Sequence, residues 1–234
     1  GIKARVELEV ADEILRARKN REMMLSGVTI ENPGTVCIDP DVVIGPDTIL
    51  EPGVQLRGRT TVGKNCLIGT GSILRDCEIG DSVEILPYVV AQDTHVHAGA
   101  AVGPFSRLRM HADVGEGARI GNFVELKKAS VGKGAKANHL AYLGDVTVGS
   151  GSNIGAGAIT CNYDGKRKHT THIDENVFIG SNSTLVAPLH VGTGAYVAAG
   201  SVITTNVDAD ALALGRAHQV DKADWAKKRR EKLA

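Results

Sequence analysis

The chain has 234 residues, with 27 basic and 27 acidic side chains and a formal net charge of zero at pH 7, a balance that argues against a nucleic-acid or acidic-membrane partner. No apolar run approaches the ~18 residues of a membrane span, and the opening GIKARVELEV has neither a signal-peptide layout nor an initiating Met, as in a processed product or a fragment. Aromatic residues make up only 3% while glycine reaches 28 residues, a composition suited to a narrow interior of Val, Ile, Leu and Ala. The cysteines Cys37, Cys66, Cys77 and Cys161 form no CxxC pair, which fits a reducing, cytoplasmic setting.

In chain order, residues 3–25 read as an amphipathic helix with Leu8, Ile14 and Leu15 on one side, within a first segment of residues 1–27. From residue 28 to residue 206 a six-residue beat takes over. Aliphatic residues recur at Ile38, Ile44, Leu50, Leu56, Val62, Ile68 and Leu74, then from Val90 through Val102, Leu108, Val114, Ile120 and Leu126. The beat continues through Leu143 and Ile154 to Thr160, and again from Ile173 to Ile203. This hexapeptide period predicts an all-β fold, a parallel β-helix in which three hexads close a coil of about 18 residues. Roughly nine coils run from Ile38 to Ile203, stacked at about the 4.8 Å strand spacing. The general crossover rule favours a right-handed path. Residues 207–234 form a tail or short helix carrying Lys227, Lys228, Arg229, Arg230 and Lys232, either a solvated charge run or a contact for a polyphosphate.

Closing the coil places polar residues in columns. Leu108, Leu126, Leu143 and Thr160 stack on one face in successive coils. Arg109 and Lys127, each one residue past such a position, then stand one above the other and point outward. Tyr142 and Asn162 flank the next two rungs, and His139 lies at the corner leading into the Leu143 strand. Two stacked cations repel unless an anion lies between them. A phosphate would resolve this, and so would a nearby acid such as Glu125.

The beat fails in the stretch ITCNYDGKRKHTTHI, residues 159–173. Lys166 falls where a hexad would bury an aliphatic residue, at a prohibitive desolvation cost. The stretch is therefore expected to leave the coil as a loop, turned by Asp164-Gly165 and projecting Lys166, Arg167, Lys168 and His169. Further on, Ser181 and Ala199 occupy equivalent positions in successive coils, where small side chains leave a groove suited to an extended ligand.

The segments GNFVELKK, KANHLAYLGD and NIGAGAITCNYDG resemble the acetyltransferase domain of the bacterial bifunctional N-acetylglucosamine-1-phosphate uridyltransferase/glucosamine-1-phosphate acetyltransferase family, and the likeness covers nearly the whole chain. It implies a left-handed β-helix, a homotrimer, and acetyl transfer from acetyl-CoA to the amine of glucosamine 1-phosphate for UDP-N-acetylglucosamine, peptidoglycan and lipopolysaccharide synthesis. It also implies a uridyltransferase domain preceding residue 1, with the first helix as connector. By the same resemblance His139 is the general base and Asn162 contacts the reacting groups. Arg109, Lys127, Tyr142, Asn153 and Lys168 hold the sugar phosphate, the loop lysine serving a neighbouring subunit's site. Ala156, Asn162, Tyr163, Ser181, Ala199 and Arg216 contact the coenzyme. Ala141, Arg167 and Thr170 depart from the family's common forms.

The chemistry suits these residue types. An amine that attacks a thioester must lose a proton, and imidazole, with an ordinary pKa near 6.5, accepts one near neutral pH. No metal is expected for this transfer. The rivals are a hexapeptide acyltransferase for another amino acceptor, a purely structural trimerisation module, and a zinc β-helix hydratase. For the last, His95-x-His97 puts two imidazoles on one side of a strand, but register supplies no third ligand.

Overall fold

The computed structural model describes residues 3–233. Residues 1, 2 and 234, the outer ends of the expected connector and tail, lie outside the described residues. Helix α1 (Arg5–Leu25) leads into the repeat. Its C-terminal half touches the coils: Arg16 Nη1 lies 3.4 Å from Cys37 Sγ, Asn20 Nδ2 donates to the carbonyl oxygens of Pro33 and Val36, at 2.9 and 3.1 Å, and Met23 is buried beside it. Leu8, Ile14 and Leu15, the apolar side read from the sequence, are exposed within this chain.

Among the described residues 28 short strands follow. They wind as a parallel solenoid of about ten turns with three faces. One face is an 11-stranded sheet, running from Thr29–Ile30 to Leu212–Ala213. The other two faces join into one 17-stranded sheet, because Glu125–Val131 and Tyr142–Val148 run unbroken around the corner between them. The repeat therefore starts before Ile38 and reaches past residue 206, where Leu212–Ala213 pairs with Tyr196–Val197. Helix α2 (Trp225–Glu231) ends the chain, its basic residues fully open to solvent.

Inward aliphatic residues stack as the beat requires. Leu108 pairs with Leu126 and Leu126 with Leu143, and all three are buried. Burying each such side chain contributes roughly 1.5–3 kcal/mol. One expectation is corrected: Val90 is 44% exposed and Ala91 fills the bore, in register with Leu74 and Leu108. The short step of the beat falls after residue 91, not before it. The same five-residue step separates Leu74 from Ile79, Leu126 from Val131 and Leu143 from Val148. At the corner inside each short step stands a residue with positive φ: Asp76, Asp93, Lys128 and Asp145, between 47° and 50°. Asp tolerates this left-handed conformation better than most residues, so a corner column of Asp is a backbone requirement before it is anything else.

Candidate active site

Arg109 and Lys127 stand opposite each other in adjacent coils, as the column argument requires. Their environments differ from the expected pair of outward cations. Arg109 Nε donates to Glu125 Oε1 at 2.7 Å and keeps about a third of its side chain exposed. Lys127 is corrected: its side chain is only 4% exposed, and Nζ reaches Asp145 Oδ2 in the next coil at 2.6 Å. The acid reading of the column thus holds within the chain, with Glu125 for Arg109 and Asp145 for Lys127.

Asp145 is the residue that sequence reasoning missed. Besides Lys127 it accepts a short hydrogen bond from Asn162 Nδ2. Burial works against its carboxylate, but the hydrogen bonds from Lys127 and Asn162 and the charges of Lys127 and Lys168 outweigh that cost and hold its pKa below the ordinary carboxylate range. The available signal was positional: Asp145 occupies the corner slot that Asp76 and Asp93 fill in earlier coils.

Thr160, the fourth rung, is buried where the hexads would place an aliphatic residue. Its hydroxyl donates to the Gly144 carbonyl at 3.0 Å and accepts from the Gly144 N–H at 2.8 Å, satisfying groups that would otherwise be orphaned in the core. Gly144 also sets the surface above it. A Cβ there would collide with the Tyr142 hydroxyl and stand 2.8 Å from Asn162 Nδ2. Tyr142, Asn162 and Lys127 share this spot because position 144 carries no side chain.

The irregular stretch leaves the coil as expected. After Ile159–Cys161 it forms a small hairpin closed by an antiparallel bridge between Tyr163 and Lys168. Asp164 organises the turn: one carboxylate oxygen accepts from the backbone N–H groups of Lys166 and Arg167, both at 2.7 Å, and the other lies 2.7 Å from His169 Nε2. These contacts hold its pKa well below the usual range. Lys166 is exposed, and Lys168 Nζ sits 5.7 Å from the centre of the Tyr163 ring, within cation–π range. Lys127 first, and Arg109 with it, push the Lys168 ammonium below its ordinary pKa, so three cations converge where two acids hold two of them.

His139 ends the strand Lys136–His139 and faces solvent. Asn122 stands opposite it in the preceding coil, and its Oδ1 lies 2.8 Å from His139 Nδ1. In the tautomer that donates Nδ1–H to this oxygen, Nε2 presents its lone pair outward. Asn122 was not singled out by sequence, although GNFVELKK contains it.

The small-residue column is longer than expected. Ala156, Ser181 and Ala199 occupy equivalent positions in successive coils, through the pairings of Ile154 with Ile179 and Ile179 with Val197. Backbones approach closely there: a Cβ on Gly155 would lie 2.5 Å from the Ser181 nitrogen. Arg216 stands at the far end, its Cδ 3.8 Å from where a Cβ on Gly200 would be. Asn153 lies on the 11-stranded sheet between Lys136 and Phe178, away from the Arg109–Lys127 rungs. Within one chain, then, the structure joins Arg109, Lys127, Tyr142, Asn162 and Lys168 through Asp145 and Gly144. His139 occupies the neighbouring corner, in the same column as Ala156 because Ala137 pairs with Ile154, while Asn153 stands apart.

The zinc reading also changes. Asp113 faces His95 across adjacent coils, so register does supply a third ligand beside His97. No helix among the described residues is long and apolar enough to cross a membrane.

Residues 41–76 and 170–205 match the bacterial transferase hexapeptide family (six repeats). Along nearly its whole length the chain is similar to proteins named bifunctional protein GlmU. That of Koribacter versatilis is 51% identical over 230 residues, covering 98% of this chain and 49% of the relative. That of Anaeromyxobacter sp. is 55% identical over 230 residues, covering 98% of this chain and 47% of the relative. The chain spans about half the length of the curated relatives it matches. Among solved structures, a UDP-N-acetylglucosamine acyltransferase from Campylobacter jejuni shares the fold, with a TM-score of 0.55 at 15% identity over 86% of this chain and 77% of that one.

Proposed function

We propose that the chain, which carries the bacterial transferase hexapeptide repeat and matches the C-terminal half of GlmU, is an acetyl-CoA-dependent glucosamine-1-phosphate N-acetyltransferase. The observation that carries the proposal is the pairing of a singly oriented imidazole, His139 held by Asn122 at 2.8 Å, with a corner where Arg109, Lys127 and Lys168 converge. A phosphate monoester is the natural occupant of such a corner, since it satisfies the cation not already held by Glu125 or Asp145.

In the proposed reaction the sugar phosphate docks against Arg109 and Lys168, with Tyr142 bordering the ring. Lys127, locked by Asp145, supplies fixed positive charge from below. Acetyl-CoA lies along the groove of Ala156, Ser181 and Ala199, where small side chains admit the pantetheine arm and Arg216 meets its phosphates. His139 Nε2 takes a proton from the glucosamine amine as its nitrogen attacks the thioester carbonyl. The tetrahedral oxyanion collapses, the C–S bond breaks, and the departing thiolate is protonated, leaving the acetamide. A positioned base of this kind contributes about 10²–10⁴-fold, and holding amine and thioester together supplies more. Asn162 and Tyr163 border both substrates.

Asn153 lies on a different face from the phosphate corner within one chain. This supports a homotrimer in which adjacent subunits complete each site. A preceding uridyltransferase domain, joined through α1, and cytoplasmic residence belong to the same proposal, supported by the half-length match and by four free cysteines.

The test is release of CoA thiol from acetyl-CoA with glucosamine 1-phosphate, glucosamine 6-phosphate or glucosamine as acceptor. Release with the 1-phosphate, strongly reduced for the other two and for His139→Ala, is expected. Equal rates with all three acceptors would remove the phosphate corner from the proposal, and no release with any would remove the enzyme reading.

A further inference from the structure

Outside the proposed active site, one cluster of side chains has the makings of a metal centre. Glu78, His95 and Asp113 form an outward column in three successive coils. His97, two residues past His95, returns to the same side. His97 Nε2 lies 3.0 Å and His95 Nδ1 3.6 Å from Asp113 Oδ1, and the two imidazoles stack with centroids 3.9 Å apart. One ligand atom from each of the three residues lies within 4.8 Å of the other two, the only such set of three among the described residues.

These spacings can be compared with what a metal needs. Zinc bound at about 2.0–2.2 Å in tetrahedral geometry holds neighbouring ligand atoms about 3.3–3.6 Å apart. The two distances to Asp113 bracket that edge, so loading requires only small side-chain rotations. Two imidazoles and a carboxylate are a borderline donor set, which selects Zn²⁺ and its neighbours Co²⁺, Ni²⁺ and Cu²⁺ over Ca²⁺ or Mg²⁺. The field points the same way. The adjoining groove, of about 410 Å³, is lined by Asp76, Glu78, Asp93 and Asp113 against the single guanidinium of Arg59. The chain also contains its own contrast. His172 and His190 pair on the same outward column further along, and His190 meets Asp174 at 2.9 Å, yet no third ligand closes that set.

We propose that His95, His97 and Asp113 form a binding site for a borderline divalent transition-metal ion, Zn²⁺ foremost, on the face of the solenoid that follows the Arg109 corner. The ion ties Asp113 of one coil to His95 and His97 of the coil before it. It acts as a staple across the stacking direction and leaves its remaining coordination positions open to water. Because it binds the wound state and not the separated strands, it raises thermal stability in proportion to the logarithm of free metal.

Untagged protein, stripped with EDTA and dialysed, is titrated with ZnCl₂ by calorimetry and with CoCl₂ by visible absorption. One Zn²⁺ per chain is expected, with a Tm that climbs as zinc is added and a cobalt spectrum of low coordination number. His97→Asn and Asp113→Asn each weaken binding by about 100-fold or more, beyond the loss typical of an outer hydrogen-bond partner. His190→Asn leaves the isotherm unchanged. All three ligands are more than 40% exposed, so the variants keep the wild-type Tm in EDTA, which verifies folding. Zinc uptake that persists in a His95→Asn/His97→Asn double variant would overturn the proposal, and so would wild-type uptake no greater than that of the double variant.

Discussion

Lys127 and Asp145 come from adjacent coils, meet at 2.6 Å, and keep only 4% and 13% of their side chains exposed. Asn162 bonds to the same carboxylate oxygen. Removing one partner of such a pair leaves an uncompensated buried charge, a loss of about 3–5 kcal/mol. Lys127→Ala is therefore expected to lower Tm sharply. Combining it with Asp145→Asn, which keeps a residue suited to the left-handed corner, recovers part of that loss, which a double-mutant cycle by thermal denaturation measures.

The same pair sets a pH dependence. The Asp145 carboxyl is held below its ordinary pKa in the folded chain, so the stability it contributes is full above the ordinary carboxylate range and is lost as pH falls through the lowered value. Asp145→Asn removes that component. Its Tm should change less between neutral and strongly acidic pH than the wild type's; parallel curves would show that other carboxylates dominate the acid limb.

Asn122 acts on the reaction through His139. Asn122→Ala frees the imidazole to rotate and to exchange tautomers, and a fall in kcat is expected with little change in KM for glucosamine 1-phosphate. The loss stays smaller than the roughly 10²–10⁴-fold of His139→Ala. Asn122→Asp, which keeps an acceptor at the same atom, restores most of the rate. Steady-state kinetics of the three variants checks the order.

Gly144→Ala tests whether open space at that position builds the site. The added methyl group meets the Tyr142 hydroxyl and the Asn162 amide, and overpacking of this kind costs about 1–3 kcal/mol. Activity is expected to drop further than stability, by about 10²-fold in kcat/KM, because misplacement of about 1 Å is enough for that. A variant with a lowered Tm but normal kcat/KM would refute the assignment.

Lys168 gives the alkaline limb. Its ammonium is pushed below the ordinary lysine pKa by Lys127 and Arg109. The charge is present below that lowered value and disappears as pH rises through it. The profile of kcat/KM for the sugar phosphate should thus decline before an ordinary lysine would titrate. Lys168→Arg, whose guanidinium stays charged, extends the plateau to higher pH.

How much of this was legible beforehand differs by level. The bore residues were readable because a period of six leaves a long regular record, and only the short step after residue 91 misplaced a position, Val90. The stacking of Arg109 on Lys127 followed from the same arithmetic. What the arithmetic could not supply was direction along a flexible stem: Lys127 turns across to the neighbouring coil's Asp145 and away from solvent. Asp145 itself was hidden by ambiguity, since an Asp at a left-handed corner needs no function to explain it. Asn122 and Asp113 were hidden by distance in sequence, each being the partner, a coil away, of a histidine already in view. The apolar side of α1 is a different case. Amphipathic spacing says that Leu8, Ile14 and Leu15 share a side, not that this chain's coils are what they meet.

The hairpin at residues 162–170 has one further consequence. Between Ile38 and Ile203, coils that do not span it are 17 or 18 residues apart, yet Val148 pairs with Ile173 across it, a step of 25, and the next pairing, Ile173 with Val191, returns to 18. The excursion lengthens the path without displacing anything above or below it. The chain is in this sense a spooled thread with one slack turn, and the slack is where Lys168 hangs. Winding it tight by deletion would leave a continuous spool without Lys168, so inheritance of the scaffold and inheritance of that lysine can part company at a single splice.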